Sequence, residues 1–112
     1  MDKIISKVAA LGIPGLILVV AMAATGFSGA AALTAALAAL GPCGMIGGIA
    51  FLGIAGLIAQ GFTEFGFDAI FTGVVKELYK RGETKESIMR KIDDYPISKS
   101  LKRKLKEELE KL

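Results

Sequence analysis

The chain has 112 residues, enough for one compact domain, and carries 14 basic against 11 acidic side chains, a mild net charge of +3. No charged residue occurs between Lys7 and Glu64, whereas Lys76 to Leu112 is crowded with both signs. A water-exposed domain this small has too little interior for so long an uncharged run, and the apolar content of that run excludes disorder there. With no His, no Trp and Cys43 as the only Cys, zinc sites built from those residues, Ser-His-Asp triads and an internal disulfide are excluded.

Met1 to Lys7 opens with Lys3 and Lys7 against Asp2. Val8 to Thr25 is apolar throughout and as one helix would rise about 27 Å. Pro14 predicts a kink, or a new helix beginning near Ile13, with Gly12 and Gly15 easing the bend. Gly26-Phe27-Ser28-Gly29 offers a second break, and Ala30 to Leu40, largely alanine, predicts a thin helix. Gly41-Pro42-Cys43-Gly44 reads as a turn, and Met45 to Gln60 as a further apolar helix.

Between Gly61 and Arg81 the apolar residues Phe67, Ile70, Phe71, Val74 and Leu78 follow helical spacing. Glu64, Asp68, Thr72, Lys76 and Lys80 recur every four residues on another face. This predicts an amphipathic helix with Phe62, Phe65, Phe67 and Phe71 near its apolar end, either continuing the preceding helix or starting afresh at Gly61. Thr84 is the expected N-cap of the next helix, which Tyr95-Pro96 stops. A last helix opens at Ser98 or Ser100 with Leu101, Leu105, Leu109 and Leu112 as its apolar stripe. Arg103/Glu107, Lys104/Glu108 and Glu107/Lys111 have the spacing of opposite-charge pairs.

Three readings account for the apolar half. Lys3 and Lys7 followed by Val8–Val20 and Ala21-Met22-Ala23 have the layout of a cleaved secretory signal, but the apolar sequence continues far beyond one. A helical bundle in water would hide it only within a large oligomer. Two membrane spans joined at Gly41–Gly44, with both termini cytoplasmic by the distribution of Lys and Arg, fit best. The expected class is therefore all-α: residues 1–60 a Gly/Ala-rich transmembrane hairpin, 61–82 an amphipathic interfacial helix, and 83–112 a charged C-terminal helical hairpin.

In lipid, helices associate through small residues rather than through burial of apolar ones. Gly44 and Gly48, and Ala32 and Ala36, have small-xxx-small spacing, and Gly53 and Gly56 extend the smooth surface. They are the candidate packing positions of a homo-oligomer, or of the hairpin alone. Glu64, Asp68 and Thr72 are the polar candidates near an opening, with a solvated helix face as the alternative. Lys99, Lys102, Arg103, Lys104 and Lys106 are candidates for contact with lipid headgroups, again with a solvated face as the alternative. Nothing in the basic tail resembles a nucleic-acid motif, and no cofactor or enzymatic site is expected.

Ala23-Ala24-Thr25-Gly26-Phe27-Ser28-Gly29-Ala30-Ala31, with Gly41-Pro42-Cys43-Gly44, Gly47-Gly48 and Ala50 to Gly56, resembles the interferon-alpha-inducible family of small Gly/Ala-rich membrane proteins. The resemblance spans residues 23–60 and implies membrane insertion, oligomerisation and a link to death or antiviral responses. The charged C-terminal hairpin departs from that family's pattern. In layout the chain is also similar to the holin class of phage lysis proteins. The expected function is an oligomerising membrane protein that permeabilises or remodels a bilayer. The alternative is a pore-less anchor or scaffold whose residues 83–112 recruit a protein partner.

Overall fold

The computed structural model describes residues 1–25, 48–95, 97 and 99–112, with backbone alone at 25 and 48–52. Among the described residues the regular structure is entirely helical: α1 (Asp2–Ala9), α2 (Ile13–Thr25), α3 (Gly48–Phe65), α4 (Phe67–Lys80), α5 (Lys85–Asp94) and α6 (Lys99–Glu110). The expected alanine-rich helix and the turn at 41–44 lie outside the described residues, and with them Ala32, Ala36, Cys43 and Gly44.

The apolar run that begins at Val8 is broken rather than kinked. α1 and α2 meet at 117°, with Gly12 at φ 73° in the corner, where a side chain would be strained. Pro14 falls in the first turn of α2, where its missing N–H costs no helical hydrogen bond. The 13 residues of α2 rise about 20 Å, short of the roughly 30 Å hydrocarbon core. No single helix among the described residues is long and apolar enough to cross a membrane; α1 and α2 pass that test only together, as a bent pair. The expected transmembrane hairpin is therefore unsupported here. What exists instead is an apolar helix enclosed by its own chain.

Leu16, Ile17, Leu18, Val19 and Val20 are all 0% exposed, so every face of α2 is covered. The helix touches α1, α3, α4, α5 and α6. Four of its neighbours are amphipathic and bury one stripe each: Ile4, Ile5 and Val8 on α1, Ile70, Phe71, Val74, Val75 and Leu78 on α4, Ile88 and Ile92 on α5, and Leu101, Leu105 and Leu109 on α6; the apolar α3 adds Ala55, Ile58 and Phe62. All belong to one hydrophobic core. The stripes on α4 and α6 follow the predicted spacing. Leu112 is the exception, lying beyond the end of α6 and 49% exposed.

The amphipathic segment does not start at Gly61. α3 runs on through Gly61 to Phe65, and the break falls at Gly66, whose φ of 88° a glycine adopts without strain. At Gly61 the helix is closely packed by α4 and α1: a Cβ there would lie 2.8 Å from Ile70 Cδ1 and 3.5 Å from Ile4 Cδ1, so only glycine fits without displacing them. Across the break Phe62, Phe67 and Phe71 form a row, with ring centroids 5.8 and 5.5 Å apart. Three of the four aromatics expected to meet a membrane interface thus meet one another, and Phe65 remains exposed.

Candidate functional site

The C-terminal hairpin begins with a polar clasp. Thr84 caps α5 as its spacing predicts: Ser87 N donates to Thr84 Oγ1 (3.0 Å) and Thr84 N donates to Ser87 Oγ (2.8 Å), a reciprocal capping box. Ser87 Oγ and Lys91 Nζ both approach the Glu83 carboxylate at 2.7 Å. The Lys91 hydrogen bond, then that of Ser87, holds Glu83 below the ordinary glutamate range. A lowered folded value means that this stabilisation is complete above the ordinary range and is lost as pH falls through the folded value. In an NMR titration Glu83 should therefore titrate below a glutamate in an unstructured peptide of the same local sequence. Lys91→Met should move its midpoint upward; an unchanged midpoint would mean that the clasp does not persist in solution.

Tyr95, extended at ψ 142°, ends α5, and α6 begins at Lys99. Because Leu101, Leu105 and Leu109 turn inward, the basic residues of α6 stay outside the core and divide between two sites. Lys102 Nζ donates to the Asp93 backbone oxygen (2.7 Å), and Lys106 Nζ pairs with Asp93 Oδ1 (2.6 Å). These contacts line α6 against the end of α5 beside an open cleft of about 510 Å³, into which Lys99 and Arg103 also project. Glu107 and Glu110 form the rest of its lining. Four of the five basic candidates are thus gathered in one place. Lys104 is apart from them and reaches Glu108 at 3.8 Å.

The ion pairs differ from the spacing-based expectation. Lys104/Glu108 is present, but Lys111 pairs with Glu108 (3.2 Å) rather than with Glu107, and Arg103 and Glu107 do not pair. Glu108, only 6% exposed beside the leucine stripe, draws both lysines because a buried carboxylate has most to gain from cations.

The polar trio of the sequence is not one helical face. Glu64 lies in the last turn of α3 and accepts a hydrogen bond from Gln60 Nε2 (3.2 Å), whereas Asp68 stands in the first turn of α4 beyond the Gly66 break. Both are exposed, and Thr72 is half-buried on α4. Gly48, Gly53 and Gly56 lie on α3, and a Cβ at Gly53 or Gly56 would meet no described atom within 4 Å. Among the described residues the close approaches are made at Gly15, Gly61 and Gly73 instead. Among the described residues no group of three or more His, Cys, Asp or Glu is placed to hold a metal ion.

Asp93 and Glu110 went unrecognised from sequence, and Glu107 was read there only as an ion-pair partner on its own helix. Asp93 is nine and thirteen positions from the lysines it meets, so only the fold of the hairpin brings them together. Compared with protein-family models, with curated proteins and with solved structures, the chain gives no significant match to any of them.

Proposed function

We propose that the protein acts on lipid bilayers, carrying an apolar helix beneath an amphipathic cover and releasing it to permeabilise or remodel a membrane. The carrying observation is α2: ten positions from Ile13 to Met22 hold no charge, Leu16 to Val20 are unexposed on every side, and four of the five helices that touch it are amphipathic enough to lie at an interface. The uncharged run of 56 positions between Lys7 and Glu64 extends far beyond what α2 alone brings under that cover. Straightening at Gly12 would join α1 and α2 into about 36 Å of helix, enough to span. Association of several copies through small-residue faces belongs to the same proposal, as does the membrane insertion implied by the resemblance over residues 23–60.

Release of a self-quenching dye from liposomes tests it: leakage should rise steeply with protein added, and intact vesicles at high loading would refute it. The second reading, an anchor or scaffold without a pore, is favoured by the outward-facing cleft on the C-terminal hairpin. It predicts membrane association that survives a carbonate wash without leakage. A bundle that stays in water predicts instead that the wash removes all the protein.

A further inference from the structure

We propose that the α5–α6 cleft binds a zwitterionic phosphate, the phosphoethanolamine headgroup of a lipid, with the phosphate on Lys99 and Arg103 and the ammonium on Glu107 and Glu110. The choice of a lipid as the source rests on the bilayer reading above; the chemistry of the ligand does not.

Asp93 occupies Lys102 and Lys106, which makes them part of the wall. Lys99 and Arg103 have no hydrogen-bond or ion-pair partner among the described residues, and neither have Glu107 and Glu110. All four line the same open cleft. They are also sorted along α6, with both cations N-terminal to both carboxylates. Lys99 and Arg103 are one helical turn apart, and the planar Arg fork matches two phosphate oxygens. A purely anionic ligand seated there would also face the two carboxylates. A ligand carrying phosphate and ammonium meets opposite charge at both ends. Its ammonium should be primary: carboxylates accept N–H donors, and among the described residues no aromatic ring lines the cleft to cage a quaternary ammonium such as choline.

NMR titration of the full chain with O-phosphoethanolamine, phosphocholine and inorganic phosphate tests the site. Phosphoethanolamine should shift resonances of α5 and α6 around the cleft with Kd on the order of 1 mM, about five-fold tighter than the other two. Glu107→Gln/Glu110→Gln should weaken phosphoethanolamine about five-fold yet tighten inorganic phosphate, and Lys99→Gln/Arg103→Gln should weaken both. These four side chains are at the surface with no partner among the described residues, so circular dichroism should report an unchanged fold. If the Glu107/Glu110 variant tightens both ligands or changes neither, or if perturbation falls outside the cleft or is absent, the assignment is overturned.

Net-neutral vesicles of phosphatidylcholine with and without phosphatidylethanolamine identify the source. Preferential binding to the mixture, lost in both double variants, supports the lipid headgroup. Soluble phosphoethanolamine binding without vesicle preference would assign the cleft to a free phosphomonoester and overturn the lipid. Dye leakage is scored separately, so headgroup binding without leakage defeats the permeabilising reading and leaves the site standing.

Discussion

A chain ending at Gly82 should be unable to remain a monomer in water and should transfer to vesicles. α5 and α6 both pack on α2, and together they contribute the buried side chains Ile88, Ile92, Leu101, Leu105 and Leu109 to the common core. Each fully buried aliphatic side chain of this size is worth about 1.5–3 kcal/mol. Five of them amount to about 7.5–15 kcal/mol, comparable to the whole roughly 5–15 kcal/mol net stability of an ordinary domain, so the remainder has little margin with which to hold α2 out of solvent. The truncated chain should be recovered with vesicles or detergent. If the chain permeabilises membranes, leakage per bound molecule should be retained or increased, because the removed part is cover and not the inserting segment. A scaffold predicts the reverse, since residues 83–112 would hold its only partner-binding surface. Leu105→Ala gives a graded version in the intact chain: about 2–5 kcal/mol lost, with vesicle binding rising in step with exposure of α2. A truncated protein that stays monodisperse in buffer, with the amides of α2 protected from exchange, would show that α5 and α6 are not its cover.

That cover was only half legible in the sequence. The stripes at 70, 71, 74 and 78 and at 101, 105 and 109, the Thr84 cap and the stop before Pro96 all depend on neighbours within a turn or two, and periodicity finds such features. α2 has no such signature. A helix apolar on every face looks the same whether lipid or its own chain surrounds it, and only tertiary contact decides which. The break at Gly66 rather than Gly61 has the same origin. Both are glycines in a similar local sequence, but Ile70 and Ile4 close upon Gly61, whereas nothing is within 4 Å of a Cβ at Gly66. The cleft was legible as a run of basic residues but not as a site. Its polarity depends on Asp93 taking two lysines from across the hairpin turn and on Glu108 taking Lys111, which leaves Glu107 without the partner its spacing suggests.

Among single substitutions, Gly15→Ala should be the most damaging small change to the fold. A Cβ at Gly15 would run into the backbone oxygen of Val8 and lie 3.2 Å from Leu11 Cβ, so the corner between α1 and α2 would have to open. The obstructing atom is backbone, fixed by the end of α1, and cannot rotate away. The expected cost is about 3 kcal/mol, or roughly 10 °C or more in Tm for a chain of this size. Gly73→Ala should cost less even though Ile5 Cδ1 would be 2.5 Å away, because the tip of an isoleucine can change rotamer. Gly53→Ala and Gly56→Ala should go the other way. Both glycines are exposed within α3 and meet no described atom, so each exchange should stabilise the protein by up to about 1 kcal/mol through the intrinsic preference of alanine for helix. Thermal melts of the four variants check this order, and a Gly15→Ala protein melting with the wild type would mean that the 117° corner is not the folded conformation. The same series examines the oligomer proposal from the opposite side. If copies meet in the membrane at Gly53 and Gly56, Gly56→Leu should abolish leakage and cross-linked oligomers in vesicles while leaving the melt in buffer unharmed, since a bulky side chain obstructs close helix approach only where another helix approaches.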